Sequence, residues 1–248
     1  MRKKIGFTIL IIGLVFLITG FILAIVFSNN GKNNDDIQNN EKLSSTLYNK
    51  YHDKIVSQTT YFELYFFEDL ENFETSKLSD KDKTKFILDM LYNSITSFKE
   101  ISSSEVVSEG RKYFSDFNLY RNSISSSDGN ILYKYDNDKY SYVTSDSSNF
   151  FTFTFYDVSS DAYVDYWIEK KKLYFIKKEV KEDNQYICNV FSSMSDYKNN
   201  KSIYSFPCDE FTSIVDDYSK IENLLKTYTY TFKKVGKNYY LDSIKMED

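Results

Sequence analysis

Residues 228–245 read YTYTFKKVGKNYYLDSIK, and this stretch predicts the architecture of the chain. Its first half alternates aromatic residues with threonines, which is the two-residue period of a half-buried antiparallel strand. Val235-Gly236-Lys237-Asn238 separates this run from a second alternating run and predicts a hairpin turn. We therefore expect an antiparallel sheet at the C-terminal end of the chain.

The same period recurs upstream, beginning near residue 130. Asp136-Asn137-Asp138 separates ILYKY from KYSYV and predicts another hairpin. The uncharged run NFFTFTFY, residues 149–156, would aggregate if exposed, so we expect it to form a central strand. Further strands are predicted around residues 162–169, 173–180, 185–191 and 202–206, and a short amphipathic helix at 211–225.

Residues 43–125 follow a helical pattern instead. Leu43, Leu47, Tyr51 and Ile55 recur every four residues. The apolar segment 61–73 is assigned to a second helix. Two further helices are predicted, one starting at Ser79 with Phe86, Met90 and Ile95 facing inward, and one starting at the capping box Ile101-Ser102-x-x-Glu105-Val106. Helices followed by antiparallel strands predict an α+β fold, with the helical part, 43–125, packed on the β part, 126–248. Whether these parts form one domain or two closely packed ones stays open.

Residues 5–27, IGFTILIIGLVFLITGFILAIVF, form an unbroken uncharged stretch. As a helix it would be about 35 Å long, enough to cross a hydrocarbon core of about 30 Å. Arg2, Lys3 and Lys4 lie in the short segment before it, so the positive-inside rule predicts a cytoplasmic N-terminus and an extracytoplasmic C-terminal domain. Residues 28–42 contain almost no apolar side chains and are predicted to be a disordered tether. The sequence therefore predicts a single-pass protein of the cell membrane, in contact with the bilayer through residues 5–27.

The alternative for this segment is a cleaved signal peptide. Such peptides have apolar regions of about 7–15 residues and an A-x-A-like exit, and Ala24 and Val26 match that exit poorly. An uncleaved signal anchor is favoured. Gly6, Gly13 and Gly20 recur every seven residues, and Ala24 follows four residues later. This face would allow close packing of two helices in a homodimer, unless it reflects only the general frequency of glycine in membrane spans.

The charge and composition exclude several function classes. Beyond the span, 28 Lys and Arg stand against 36 Asp and Glu, a formal net charge of −8. Such a domain repels phosphate backbones, so no nucleic-acid partner is expected. The 23 Tyr and 21 Phe indicate AT-rich coding or, alternatively, exposed aromatics that stack on sugars or peptides.

No catalytic, cofactor-binding or metal-ligating residue is assigned, and no cofactor is expected. The chain has one histidine, His52, and two cysteines, too few for a His/Cys metal site or for a triad independent of His52. Asp136-Asn137-Asp138 resembles the start of a calcium loop, but Ser141 and Ser147 occupy the positions that require Gly and Glu. The 36 acids offer no basis for choosing a catalytic pair.

Cys188 and Cys208 are candidates for a disulfide. Their number is even, and the predicted compartment allows such bonds. The alternative is a pair of buried free thiols that pack as small apolar residues.

Four segments, SKLSDKDKTKFILDMLYNSI, ISSSEVVSEGRKYF, ILYKYDNDKY and YTYTFKKVGKNYYLDSIK, together resemble a family. It comprises uncharacterised membrane-anchored extracytoplasmic proteins of AT-rich, low-GC Gram-positive bacteria. The resemblance covers most of residues 76–246. It departs at Ser115, where the family often has Gly, and in the absence of cysteines near the first hairpin, so it implies no disulfide. It also implies no activity.

Two functions follow as hypotheses. The favoured one is a non-catalytic binding or scaffolding domain outside the membrane, whose partner is an envelope protein, a peptide or a wall component. The alternative is a hydrolase of cell-envelope polymers that uses carboxylates, so whether the protein is an enzyme stays open. The α-then-β order also resembles NTF2-like and cystatin-like modules at the level of fold alone. A deep cleft with two facing acids would favour the enzyme, and a flat or filled surface the binding domain.

Overall fold

The computed structural model describes residues 41–93, 100–143, 152–180, 186–208 and 220–247. Helix α1 (Ser45–Phe66) comes first, and the Ser44 side chain accepts a hydrogen bond from the backbone N–H of Leu47 at its start. The two helices predicted for 43–55 and 61–73 are therefore one. The predicted extension to residue 73 is wrong, because the chain leaves the helix after Phe66 and Phe73 pairs with Ile244 in strand β1 (Asn72–Glu74).

Helices α2 (Asp80–Asn93) and α3 (Ser103–Tyr113) begin as predicted. Ser79 and Asp82 exchange side-chain-to-backbone hydrogen bonds at the start of α2. Ser102 and Glu105 form the predicted capping box of α3. Residue 95 lies outside the described residues. Near the end of α3, a Cβ atom on Gly110 would lie 2.5 Å from the Phe117 ring, so this contact requires glycine.

A four-stranded antiparallel sheet follows, in the order β2-β5-β4-β3. Its strands are β2 (Ile101–Ser102), β3 (Ile124–Ser125), β4 (Ile131–Asp136) and β5 (Lys139–Tyr142). The β4–β5 turn places Asn137 and Asp138 at positive φ, 47° and 61°. Asn and Asp tolerate this conformation better than most residues. The structure thus confirms the first predicted hairpin.

The main sheet contains β1 together with six longer strands. These are β6 (Thr152–Ala162), β7 (Tyr166–Val180), β8 (Tyr186–Phe191), β9 (Tyr204–Pro207), β10 (Thr227–Val235) and β11 (Asn238–Met246). Neighbours follow the antiparallel order β1-β11-β10-β7-β8-β9, and β6 pairs with the other edge of β7. The β10–β11 turn, with Gly236 at φ 63°, is the second predicted hairpin and is confirmed.

Strand β7 has fifteen residues and organises this sheet. The prediction of two strands, 162–169 and 173–180, is wrong. Lys170, Lys171 and Lys172 resemble a break in the sequence, but the ladder continues through them, from Ala162↔Trp167 to Thr152↔Ile176 on one edge. On the other edge β10 pairs with the first half of β7 and β8 with the second half.

The central position predicted for NFFTFTFY is also wrong for the part that is described. Among the described strands, β6 pairs with β7 alone and therefore lies at an edge. A register shift between Asp157 and Ser159 bends it, and Asp157 and Asp161 place charge on it. Bulges and charges commonly protect exposed sheet edges against aggregation. The prediction had assumed instead that this segment avoids aggregation by being buried in the centre of the sheet.

Helices α1, α2 and α3 share a core with one face of the main sheet. Phe62, Phe86, Val106, Trp167 and Tyr230 belong to this cluster and are fully buried. A second cluster includes Tyr174, Cys188 and Val190, and a third lies beside helix α4 (Met194–Lys198). The described residues all belong to one compact unit. The α+β class with antiparallel sheets is confirmed.

Several predictions fall outside the described residues. The predicted span, 5–27, and residues 28–40 of the tether are among them, and so is most of the predicted helix 211–225. Its described end contains only a 3₁₀ turn, Glu222–Leu224. Within the ranges given above, no helix is both long enough and apolar enough to cross a membrane.

Candidate functional site

A half-open cleft of about 230 Å³ lies between helix α1 and strands β6 and β7. Ligand pockets for drug-sized molecules usually measure about 300–1,000 Å³, so this cleft has room for a small chemical group only. Its lining combines polar and apolar surface and comes from Tyr48, His52, Val56, Asp157, Val158, Ser159, Ser160 and Glu169.

One stripe of helix α1 forms the first wall. Tyr48, His52 and Val56 are four residues apart and line the cleft, and Thr59 and Glu63 continue the same face of the helix. Thr59 and Glu63 are completely buried against the sheet. The stripe therefore changes from an open aromatic end to a closed polar end.

Strand β7 forms the opposite wall. Trp167, Glu169 and Lys171 alternate along it, so their side chains point to the same face of the sheet. All three are at most 2% exposed. Two ionisable residues thus occupy core positions of a central strand, where apolar side chains are usual.

The bulge of strand β6 closes the cleft on its third side. The register shifts between Asp157 and Ser159, which leaves Val158 without a partner on β7. The side chain of Asp157 is 65% exposed and Val158 is 50% exposed. Bulges re-aim side chains in this way and are frequent next to binding and active sites.

Aromatic rings form the open end of the cleft. The Tyr48 ring stacks on Trp167 with a centroid distance of 4.8 Å. The His52 ring lies 5.1 Å from Tyr48 and 6.4 Å from Trp167. The histidine is therefore held against flat apolar surfaces while its side chain stays 38% exposed.

Glu169 is fixed by two hydrogen bonds to one of its oxygen atoms. Trp167 Nε1 donates to Glu169 Oε1 at 2.5 Å, and Ser160 Oγ donates to the same atom at 2.7 Å. Burial raises the pKa of Glu169, and the hydrogen bonds from Ser160 and Trp167 oppose this only in part. The carboxylate is therefore oriented by its neighbours but incompletely compensated in charge.

Lys171 lies at the closed end, with no exposed surface. Its Nζ donates a hydrogen bond to Thr59 Oγ1 at 2.9 Å and forms ion pairs with Glu63 Oε1 at 3.3 Å and Asp157 Oδ1 at 3.7 Å. The Tyr230 ring lies 5.6 Å from the same nitrogen. Because Asp157 also lines the cleft, it connects the buried lysine to the open part of the site.

Glu63 is the partner of Lys171 on helix α1. Burial raises its pKa to about 7, although Lys171 and the Tyr230 hydroxyl lower it. Among the described residues, neither carboxylate oxygen of Glu63 has a hydrogen bond of normal geometry. The ion pair therefore compensates this buried charge only in part.

The charges of the site do not balance. Glu63, Glu169 and Asp157 are three acids, and among the described side chains that line or close the cleft Lys171 is the one permanent cation. Burial weakens solvent screening, so an excess of negative charge is costly there. Burial is the main cause of the raised pKa of both glutamates, and Asp157 adds a smaller increase to that of Glu63.

A second polar cluster provides a contrast. Asp89 accepts hydrogen bonds from Tyr65 at 2.5 Å, from Lys85 at 2.9 Å and from Tyr133. These bonds join α1, α2 and β4. Because its three partners already satisfy this carboxylate, the cluster serves packing and we assign it no ligand.

Of the residues singled out in the sequence, the structure describes the two cysteines and His52 but not the small residues of the predicted span. It places Cys188 in β8 and Cys208 just after β9 with their Cα atoms 5.0 Å apart and joins them as a disulfide, away from the cleft. Residues 6, 13, 20 and 24 lie outside the described part. His52 lines the cleft, although no catalytic or ligating role was predicted for it.

Glu63, Glu169 and Lys171 were not identified from the sequence. Each is a charged residue at a position of its helix or strand that faces the core. Such a position can be recognised only when the strand and the helix that packs on it are known.

Comparisons with known proteins add no residue to this site. No protein-family model matches the chain, and neither a curated protein nor a solved structure does. Within the described part of the chain, no group of three or more His, Cys, Asp or Glu residues is arranged to hold a metal ion.

Proposed function

We propose that the chain is a single-pass membrane protein whose domain, from about residue 43, is a non-catalytic binding domain outside the cell membrane. Its partner is an envelope protein, a peptide or a wall component, held at the cleft between α1 and β6. The apolar stretch 5–27 and the positive residues before it support the location. The resemblance to membrane-anchored proteins of low-GC Gram-positive bacteria agrees with it.

The observation that carries this proposal is that the cleft is small and combines polar groups with aromatic surface. A volume of about 230 Å³ fits one side chain or terminal group of a larger partner. Aromatic faces and fixed polar groups next to each other are typical of recognition sites. The inner face of the sheet offers no larger opening at this point, because Trp167, Tyr228, Tyr230 and Phe232 fill it.

The second candidate is a hydrolase, and one observation favours it. Glu169 has a raised pKa in a buried setting, whereas the Asp157 side chain is 65% exposed. Two carboxylates in different environments can divide the functions of acid and base. However, hydrogen bonds already hold one oxygen of Glu169, and the cleft is not deep. Release of soluble fragments from purified cell wall by the wild type, but not by Glu169→Gln, would favour the hydrolase.

Site-specific photo-cross-linking tests the binding function. The photo-reactive residue p-benzoyl-phenylalanine replaces Val158 at the cleft in one variant and Val235 at the tip of the β10–β11 hairpin in another. Val235 is the matched control for Val158, because both residues are 50% exposed. We expect irradiated cells to give a discrete adduct from position 158 and none from position 235. Equal adducts, or none from position 158, would contradict a partner at this cleft.

A further inference from the structure

We propose that the cleft recognises a primary ammonium group on an alkyl chain, such as a lysine side chain of the partner. This deepens the proposed function, on which it rests, by naming the chemical class of the bound group. It is carried by the excess of carboxylates, the apolar and aromatic walls, and the size of the cleft.

Electrostatics select the sign of the ligand. Asp157 and Glu169 line the cleft directly, and Glu63 lies behind them with no exposed surface, paired with Lys171 at 3.3 Å but without a hydrogen bond of normal geometry from the described residues. Lys171 neutralises at most one of these three acids. A cation entering the cleft would reduce the excess charge, whereas an anion would increase it.

Glu63 is a separate observation, because it does not line the opening. It is held by the ion pair with Lys171 but accepts no hydrogen bond of normal geometry from the described residues, which is unusual for a buried carboxylate. Lys171 links Glu63 to Asp157 through its two ion pairs. A cation bound at Asp157 would leave Lys171 more fully available to Glu63.

The shape of the walls selects an organic cation. Val56 and Val158 supply apolar surface, and the Tyr48 and His52 rings present flat faces beside the carboxylates. An alkyl chain can pack on the valines while its ammonium group reaches the acids and the face of an aromatic ring. A volume of about 230 Å³ is sufficient for such a group.

The test uses n-butylammonium chloride as the probe and the purified full-length chain. The single tryptophan, Trp167, donates a hydrogen bond to Glu169, so its fluorescence reports on the site. We expect a saturable fluorescence change with n-butylammonium. Neutral n-butanol and sodium chloride at the same concentrations should give no saturable change. The same response to butanol as to butylammonium would overturn the proposal, and so would the absence of a response.

Variants locate the binding group. Asp157→Asn should weaken binding up to about fivefold, as expected for a partly exposed ion pair. Glu169→Gln, which loses a buried charge, should weaken it about tenfold or more. Asp165→Asn is the matched control, because Asp165 is an exposed acid in the β6–β7 turn and does not line the cleft. Equal weakening in all three variants would indicate a general charge effect and overturn the assignment.

The pH dependence gives a second readout. The charged and titratable groups of the site besides Glu169 are Lys171 on the same strand, His52 and Glu63 on α1, and Asp157 on β6. Glu63, whose pKa is about 7, loses negative charge as the pH falls from 8 to 5, and the raised pKa of Glu169 acts in the same direction, so binding should be weaker at pH 5 than at pH 8. Binding that strengthens at low pH would contradict the proposal.

The two proposals fail separately. If position 158 cross-links to a partner while n-butylammonium does not bind, the binding function stands and the ammonium class is wrong. If n-butylammonium binds at Asp157 and Glu169 while no adduct forms, the chemistry of the cleft stands and the macromolecular partner is wrong.

Discussion

At the scale of single residues, the ion pair between Glu63 and Lys171 holds α1 against the main sheet. Both side chains have no exposed surface. The desolvation penalty of such a pair can exceed its attraction, so a buried ion pair is weak support for stability. Removal of one partner alone is nevertheless expensive, because the other charge then stays buried. This pair is therefore better explained by the site it closes than by the stability of the fold.

The titration of Glu63 makes stability depend on pH. Its pKa in the folded chain is about 7, above the ordinary value of 4.5, so the folded state binds this proton more tightly than the unfolded state. The resulting stabilisation is fully present below about pH 4.5 and is lost as the pH rises through 7. Relative to Glu63→Gln, we expect the wild type to lose about 1–3 kcal/mol of unfolding free energy between pH 5 and pH 8.

Urea unfolding, followed by Trp167 fluorescence at several pH values, measures this difference. Glu68→Gln serves as the control, because Glu68 forms an exposed pair with Lys198. A constant difference between wild type and Glu63→Gln across this range would show that Glu63 does not titrate there.

Residue patterns explain which parts of the site could be predicted. His52 is conspicuous because it is the one histidine, yet its position near the predicted tether gave no reason to place it opposite Glu169. Lys171 is the middle member of three lysines, and only the pairing of β7 with β6 and β10 shows that it points inward while its neighbours do not. A contact between residues 63 and 171 depends on tertiary packing, which single-sequence patterns do not contain.

At the scale of elements, the disulfide ties strand β8 to the residue that follows β9. Cys188 pairs in register with Phe206, two residues before Cys208, so the ladder already brings the two cysteines together. Their Cα separation of 5.0 Å lies within the usual range of about 4.4–6.8 Å for disulfides. The bond thus reinforces a pairing at the end of the main sheet.

We expect denatured, unreduced protein to contain no reactive thiol. Closing a loop of this length should stabilise the fold by about 3 kcal/mol in the chain-entropy model. The variant with both cysteines replaced by serine should therefore unfold at lower urea concentration. Thiol labelling counts the free cysteines, and reduced protein, which should show two, is the control. Two reactive thiols before reduction would contradict the bond.

Helix starts and turns could be predicted where they depend on residues that are close together in the sequence. The helix start at Ser79, the capping box at Ser102 and the turns at Asn137 and Gly236 are of this kind, and the structure contains all four. The length of β7 and the edge position of β6 were not predictable, because distant strands determine them. Three consecutive lysines resemble the end of a strand in the sequence, but β6 and β10 pair with β7 through these residues and keep it extended.

At the scale of the whole molecule, the proposed function requires that the cleft face the extracytoplasmic side. The disulfide agrees with that side, because such bonds persist in oxidising compartments and are rare in the cytosol. A formal charge of −8 beyond residue 27 also suits a domain that must not adhere to anionic headgroups. The cleft concentrates this acidity at one place, which is where we propose that a cationic group binds.

The orientation of the chain gives the last prediction. Arg2, Lys3 and Lys4 should hold the short N-terminal segment inside, because the membrane-insertion machinery retains positive residues on the cytoplasmic side. Protease added to intact spheroplasts should therefore cut within the tether after about residue 28 and release the domain, while a cytoplasmic marker protein stays intact. A variant with these three residues replaced by Gln should show a larger protected fraction. A wild-type domain that is fully protected until the membrane is opened would reverse the orientation and exclude any partner in the cell envelope beyond it.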